Sequence, residues 1–348
     1  MTIDLHEVKR RLQQHLSDGL VTVVGSGLSC AEGLPGMAEL ADHLRAVVGS
    51  SLGGADSTLW ETIVPLIEEK GLEAALLLTP PTASLEAAIA SATASLVSER
   101  ERKVITEVFA GTRKLRLTKL VGHLLKPSNG IPIVTTNYDR LVEIAVEEAG
   151  FGVDTMFIGH FAGALNERES KLSFCRNVTF KKPNFTYHYR QRAVVYKPHG
   201  SLDWYLRDGK PVCYAGDLPG STRLIITPGQ NKFRNGYESP FDHHRSRANE
   251  AIDRASRFLI LGYGFNDDHL ETHLSPAIRG GKPTLMLTRS LSAKAEALAV
   301  GHANVIALDH AEEAGVEGTR MIIDKAHSFV PGVAFWDVHS FIAEILVP

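Results

Sequence analysis

Cysteine is scarce in this chain: Cys30, Cys175 and Cys213 are the three among 348 residues. They show no C-x-x-C spacing and leave an odd one out. A disulfide framework and a four-cysteine zinc site formed within the chain are therefore both excluded. Long apolar runs are missing as well, none approaching the ~18 residues that span a bilayer. Residues 1–18 lack the uninterrupted apolar stretch of a secretory signal. Leu5, Val8, Leu12 and Leu16 instead recur among charges at helical spacing, which predicts an amphipathic first helix. A soluble, cytoplasmic protein without membrane contact is expected. Neither sign of charge dominates, with 37 Lys and Arg against 40 Asp and Glu, so the chain as a whole carries no electrostatic footprint for nucleic acid. Internal repeats and low-complexity linkers are absent too. The length suffices for one large or two small domains with a well-buried core.

What is present is an alternation of apolar β-like runs and helical patterns. Strands are predicted at Leu20–Val24, Ile131–Val134, Val153–Ile158, Ala193–Tyr196, Leu224–Thr227, Phe258–Leu261, Thr284–Leu287 and Val305–Leu308. Helices are expected at Met37–Val48, Tyr138–Ala149, Ser239–Ala255, Asp267–Arg279 and Ser292–Ala299. Such alternation predicts an α/β protein with a parallel, doubly wound sheet. Gly49–Asp56 reads as a break. The stretch 58–125 is helical throughout, with Ser84 placed to cap a helix after Pro80-Pro81, and reads as a module inserted between the first two strands. Leu202–Tyr205 and Val212–Tyr214 around Asp208-Gly209 predict a hairpin. Gly159–Arg192 is polar, basic and irregular, and is expected to be a mobile loop over a crevice.

Three separated segments each follow one of these strands: Gly25-Ser26-Gly27-Leu28-Ser29, Thr135-Thr136-Asn137-Tyr138-Asp139, and Lys197-Pro198-His199-Gly200-Ser201. In an open α/β sheet these positions are carboxyl ends of strands, where ligands bind. The glycines allow a tight strand-to-helix turn and let backbone N–H groups approach a phosphate, with Ser26 and Ser29 adding hydroxyls. A dehydrogenase fingerprint is not met, because Cys30 stands where G-x-G-x-x-G needs Gly or Ala, and no acidic residue closes a second strand about 20 residues on. Cleaving a nicotinamide–ribose bond needs an amide to hold nicotinamide or place a water, and a base for the ribose hydroxyls. Asn137 and His199 supply those chemistries. Taken singly, Asn137 and Asp139 could cap the following helix and His199 could be a turn residue. Three such segments in this order make a joint site the better reading. A fourth, Gly262-Tyr263-Gly264-Phe265-Asn266-Asp267-Asp268, follows Phe258–Leu261. Tyr263 there could flank a base or ribose, and Asp267 could cap a helix or contact ribose.

This set resembles the sirtuin (Sir2) superfamily, whose glycine loop, Thr-x-Asn-x-Asp box and His-Gly pair come in this order, with Glu32-Gly33-Leu34-Pro35 at the spacing of the sirtuin loop. It is most similar to the Sir2-like domains of bacterial anti-phage defence proteins. The resemblance covers roughly 19–48 and 130–310 as a Rossmann-like NAD-binding core of a single Sir2-like domain spanning 1–348. The module 58–125 is an insertion and 311–348 a C-terminal extension. It implies NAD bound as substrate, with Asn137 and His199 catalytic, and with Gly25, Ser26, Gly27, Ser29, Pro35, Thr136, Asp139, Gly262, Tyr263 and Asp267 in contact with it. The four-cysteine zinc module of protein-deacylating sirtuins is missing, so no metal is expected. The expected activity shifts toward hydrolysis of NAD to nicotinamide and ADP-ribose, depleting NAD during phage infection. A zinc-free deacylase or ADP-ribosyltransferase, and a non-catalytic NAD or ADP-ribose sensor, are the alternatives. Only about 40 residues follow the α/β part, so the resemblance implies gating in trans by a HerA-type hexameric ATPase, through which alone nucleic acid would be met. Self-association is also expected, with Leu76–Leu78, Leu85, Ala88 and Ile89 as a candidate face and a helical cap packed on its own sheet as the alternative.

Weaker candidates are set aside. His269 and His273 have the spacing of two ligands on a helix face but lack the glutamate that zinc peptidases place after the first histidine. Lys181, Lys182, Arg190 and Arg192 form a modest basic cluster, and Cys30 reads as a packing residue.

Overall fold

The computed structural model describes residues 4–124, 126–218, 220–228 and 238–347. Met1–Ile3, at the start of the expected first helix, and Leu125, the expected end of the inserted module, lie outside the described residues.

Leu20–Val24 (β1) is buried along nearly its whole length, the mark of a central strand covered on both faces. The chain continues through Ile131–Thr135 (β2), Gly152–Asp154 (β3), Phe157–Ile158 (β4), Gly163–Leu165 (β5), Cys175–Lys181 (β6), Asn184–Tyr189 (β7) and Arg192–Tyr196 (β8). It then forms Gly200–Arg207 (β9), Lys210–Cys213 (β10), Thr222–Ile225 (β11), Arg257–Leu261 (β12), Thr284–Leu287 (β13), Val305–Glu313 (β14), Val316–Ile323 (β15) and Ala326–Pro331 (β16). A nine-stranded sheet runs in the order β16-β15-β14-β13-β12-β1-β2-β8-β3. Every pairing from β14 to β3 is parallel, and β15 and β16 add an antiparallel hairpin at one edge. The fold is therefore α/β with a Rossmann-like, doubly wound core. Alternate residues of the strands enter two apolar cores: Val24, Ile133, Leu259 and Leu261 on one face, Val21, Val23, Phe258 and Ile260 on the other. The chain leaves β1 toward β2 and later returns to β1's other side with β12. The topological switch point, where open α/β sheets bind ligands, thus lies between the ends of β1 and β12.

The helices are Leu5–His15 (α1), Ser26–Ala31 (α2), Met37–Val47 (α3), Gly54–Lys70 (α4), Leu72–Leu78 (α5), Ala83–Phe109 (α6), Arg116–His123 (α7), Leu141–Glu148 (α8) and Glu167–Ser173 (α9), followed by others between the later strands. The helices α3 to α6 close a third core around Leu44, Trp60, Ile63, Leu76, Leu85 and Ile89. The second half of α6 packs Val97, Val104 and Val108 onto the sheet core. Of the candidate association face, Leu76, Leu85 and Ile89 are thus internal and only Leu77 and Leu78 are exposed.

Several boundaries differ from the sequence reading. The predicted strand Val153–Ile158 is broken at Met156, whose φ is 64°, so β3 joins the large sheet while β4 joins a five-stranded antiparallel sheet with β11, β9, β10 and β5. The predicted loop Gly159–Arg192 holds β5, α9 and the β6–β7 ribbon. That ribbon is exposed nearly throughout, so it lacks the one-sided apolar pattern by which strands are read. The β9–β10 hairpin turns at Asp208-Gly209, both at positive φ. The helix expected from Tyr138 begins at Leu141, and α2 starts directly after Gly25. The boundary proposed at 310/311 falls inside β14.

Candidate active site

Beyond the carboxyl ends of β1, β2, β8 and β12 lies a cavity of about 340 Å³, within the range of small-molecule sites. Ser26, Ser29, Pro35, Thr136, Asn137, Asp139, His199, Tyr263 and Asp267 all line it. Leu40 of α3, Glu73 of α5 and Val97 of α6 close one side, so the inserted helices form part of its wall. Gly27 and Gly262 line a second, adjacent cavity. Gly25 lines neither, and its carbonyl oxygen accepts from Asn137 Nδ2 at 3.0 Å.

The amide of Asn137 does not cap a helix. Its Nδ2 also donates to Ser29 Oγ at 2.8 Å, and Ser29 Oγ donates to Asp139 Oδ2 at 2.7 Å. Asp139 Oδ1 accepts from the Leu141 N–H, so this aspartate holds the start of α8 and the serine together. A buried chain of polar groups thus couples the loop after β2 to the loop after β1, and its bonds are satisfied by one another as burial demands. With Nδ2 occupied, the carbonyl oxygen of the Asn137 side chain is the group left for a ligand or water. Burial pushes the Asp139 carboxyl above its ordinary range against the pull of Lys197.

Lys197 is fully buried below the site. Its Nζ pairs with Glu143 Oε1 at 2.9 Å and donates to the carbonyl oxygen of Asp139. Burial acts to push the ammonium down, yet the carboxylates of Glu143, Asp139 and Asp203 hold it above its ordinary value. This pair fixes the loop after β2 to the end of β8.

His199 stands where β8 ends and β9 begins. Gly200 takes φ +87°, and a Cβ there would lie 2.0 Å from the Leu224 carbonyl oxygen; glycine is required. The His199 carbonyl accepts from the Ile226 N–H at 2.9 Å, which pins the backbone. The ring's Nε2 lies 2.5 Å from Asp267 Oδ2, while Asp267 Oδ1 accepts from Leu270 N at 2.9 Å and caps the helix Asp268–Arg279. One aspartate therefore both caps and orients the histidine. The ring thus turns Nε2 to the Asp267 carboxylate and leaves Nδ1 as its other nitrogen. His199 and Asp267 are far apart in the chain, so their partnership is invisible to local sequence patterns. Tyr263 is buried, with its ring 5.2 Å from that of Phe265. Burial and the charge of Asp267 push its phenol far up, so it stays protonated.

The glycines act differently from the sequence argument. The N–H of Gly25 donates to Leu261 O and that of Gly27 to Gly262 O, both at 2.9 Å. A Cβ on Gly25 would meet Gly262 O at 2.4 Å, and one on Gly27 would meet Gly262 Cα at 2.9 Å. Neither position has positive φ, whereas Gly262 does, at +58°. Gly25 and Gly27 are thus required first because two strand-end loops clasp backbone to backbone across the switch point, and the Gly27 N–H is spent on that clasp.

Among the described residues, no group of three or more His, Cys, Asp or Glu side chains is disposed to hold a metal ion, and no helix is long and apolar enough to cross a membrane. His273 Nδ1 faces Asp253 Oδ1 at 2.9 Å rather than a shared site with His269.

No curated protein compared with this chain matches it. Solved structures that overlay on it include one on the mechanism and regulation of Sir2 enzymes, at 12% identity, covering 83% of this chain and 89% of that one with a TM-score of 0.37. A Sir2 complex with an inhibitor, 2′-O-acetyl-ADP-ribose and a deacetylated peptide gives 13%, 82%, 88% and 0.36 in the same order. A Sir2 homologue bound to ADP-ribose gives 13%, 81%, 86% and 0.39. At these scores the overlays carry no residue-by-residue correspondence. The family model described as SIR2-like domain matches residues 132–300, a span that holds Asn137, Asp139, His199, Tyr263 and Asp267. This stretch of the chain is accordingly similar to the SIR2-like domain.

Proposed function

We propose that the protein is an NAD glycohydrolase, cleaving the nicotinamide–ribose bond with water to give nicotinamide and ADP-ribose. The single observation that supports this reading is the convergence of a buried amide, Asn137, with a carboxylate-oriented imidazole, His199–Asp267, in one strand-end cavity. Nicotinamide leaves NAD as a neutral molecule, taking the bonding electrons that cancel its ring charge, while positive charge develops on the ribosyl centre. Asp139 and Asp267 line the cavity and favour that charge. The side-chain oxygen of Asn137 holds the nicotinamide amide or the attacking water. His199 takes a proton from a ribose hydroxyl or from that water, in the manner of a general base. Ser29 and Lys197 are positioning residues, acting through Asn137 and the loop after β2.

Incubating the protein with NAD, with and without an acetylated peptide, and identifying the products tests the reading. Nicotinamide with free ADP-ribose in both reactions supports it. Peptide-dependent turnover giving acyl-ADP-ribose would make the protein a zinc-free deacylase instead, transfer of ADP-ribose to protein would make it a transferase, and binding without cleavage would make it a sensor.

We further propose that the protein acts in the cytoplasm in anti-phage defence, depleting NAD as a homo-oligomer beside a HerA-type ATPase. The motivation is the likeness to Sir2-like defence proteins, and the need to restrain an enzyme that would otherwise exhaust its host's NAD. Light scattering of the purified protein, alone and with its genomic neighbour, tests this. A strict monomer fully active alone would refute it.

A further inference from the structure

A second cavity of about 550 Å³ adjoins the first along Ser26, Tyr263 and Gly264. It lies between the ends of β12 and β13, under Trp336 and Asp337. If the first cavity takes the nicotinamide half of a dinucleotide, the second takes the other nucleoside, so the assignment of this cavity rests on the dinucleotide reading of the first. The unit β12, helix Asp268–Arg279, β13 begins with a glycine turn, Gly262-Tyr263-Gly264. This turn carries Asp267 where the dinucleotide fingerprint has its third glycine, so it shares with those units the strand–helix–strand order; in them the residue closing the second strand faces the ribose 2′ position. A carboxylate there accepts from a 2′-hydroxyl, and an arginine accommodates a 2′-phosphate.

Here the strand closes in Thr288-Arg289-Ser290, all three lining the cavity. The Arg289 side chain is exposed, and among the described residues it makes no hydrogen bond or ion pair. The one carboxylate among the lining side chains, Asp337, is already engaged. Its Oδ2 accepts from Arg116 Nε at 2.9 Å, and its Oδ1 accepts from His339 N at 2.9 Å and Ser340 N at 3.4 Å. The cavity therefore offers an unpaired guanidinium and the Ser290 hydroxyl, the Thr288 hydroxyl already donating to Ser290 O at 3.2 Å, at the position where a 2′-hydroxyl reader would offer an acid. We infer that this site accepts 2′-phosphorylated dinucleotides, the NADP class, with Arg289 as the residue that reads the phosphate. A guanidinium matches a phosphate dianion with two parallel N–H donors, which a lysine does not reproduce.

The test compares ADP-ribose with its 2′-phosphate derivative by calorimetry, alongside turnover of NAD and NADP, for the wild type, Arg289→Lys and Arg289→Glu. The wild type should bind the 2′-phosphorylated form at least as tightly as ADP-ribose. Arg289→Glu should weaken the phosphorylated form at least about tenfold more than it weakens ADP-ribose, the scale of a hydrogen bond to a charged group. Arg289→Lys should fall between. A wild type that prefers ADP-ribose, equal losses for both ligands in Arg289→Glu, or binding of neither ligand would each overturn the inference. Selective binding of the phosphorylated ligand without cleavage of NAD or NADP would overturn the hydrolase reading and leave this one standing.

Discussion

Replacing Gly25 with alanine probes the clasp at the switch point. The added methyl would sit 2.4 Å from Gly262 O and 2.5 Å from Tyr263 Cα, both backbone atoms that no side-chain rotation can move aside. To restore ordinary contact, the loops after β1 and β12 must part by about 1 Å. That movement stretches the two bonds that join them, Gly25 N to Leu261 O and Gly27 N to Gly262 O. Each such bond contributes about 0.5–1.5 kcal/mol net, and forced overpacking adds about 1–3 kcal/mol. We expect a loss of about 2–4 kcal/mol, seen as a fall in Tm of roughly 3–5 °C for a chain of 348 residues. Gly36→Ala is the matched control, because its Cβ would stand 3.6 Å from Cys30 Sγ in ordinary contact and its φ is −81°. Thermal denaturation followed by circular dichroism reads both. If Gly25→Ala melts with the wild type, the clasp is not what these glycines are for, and backbone approach to a phosphate becomes the better explanation.

Asp267→Asn keeps an oxygen to cap the helix Asp268–Arg279 but removes the anionic partner of His199 Nε2. NAD turnover should fall at least about tenfold while the melt changes little, and equal turnover would separate Asp267 from the chemistry. Lys197→Ala leaves Glu143 buried without its cation; breaking a buried pair in this way should destabilise by about 3–5 kcal/mol, measurable as a shifted urea midpoint. His15 is buried with Nε2 2.8 Å from Phe258 O, and burial lowers its pKa to about 4. Its unfolded value is near 6.5, so the unfolded chain binds the extra proton between those limits and stability rises with pH there. The contribution of about 3 kcal/mol should be intact above about pH 6.5, erode as pH falls, and be gone once pH passes through about 4. Loss of stability over that window that is unchanged in His15→Gln would assign it to other groups, such as His244, which burial also holds neutral.

The central strands were legible because burial on both faces leaves continuous apolar runs. Leu20–Val24 and Thr284–Leu287 were read to the residue. The ribbon β6–β7 was not, since its stability comes from cross-strand pairs such as Phe180 with Phe185, rings 4.7 Å apart, rather than from a core face. Its β-branched and aromatic residues on either side of Lys182-Pro183 were the available signal. The β15–β16 hairpin was missed for a related reason: β14 runs past its apolar start into Asp309-His310-Ala311-Glu312-Glu313, where polar residues pair at the sheet's edge. At the site, residue types at strand ends could be read from sequence, since each follows an apolar run. Their couplings could not, because Ser29 with Asp139, and His199 with Asp267, are tertiary contacts. The glycine clasp was hidden similarly: sequence tells that a turn is tight, and only the fold tells that Gly262 is what presses on it.

The most direct measurement is the release of nicotinamide from NAD by the wild type, His199→Ala and Asn137→Ala, each shown to be folded by circular dichroism. The wild type should release nicotinamide with an equal amount of ADP-ribose, and each variant should be slower by at least ~100-fold, the range of a positioned general base or its equivalent. Wild-type rates of cleavage by His199→Ala would contradict the account at its centre.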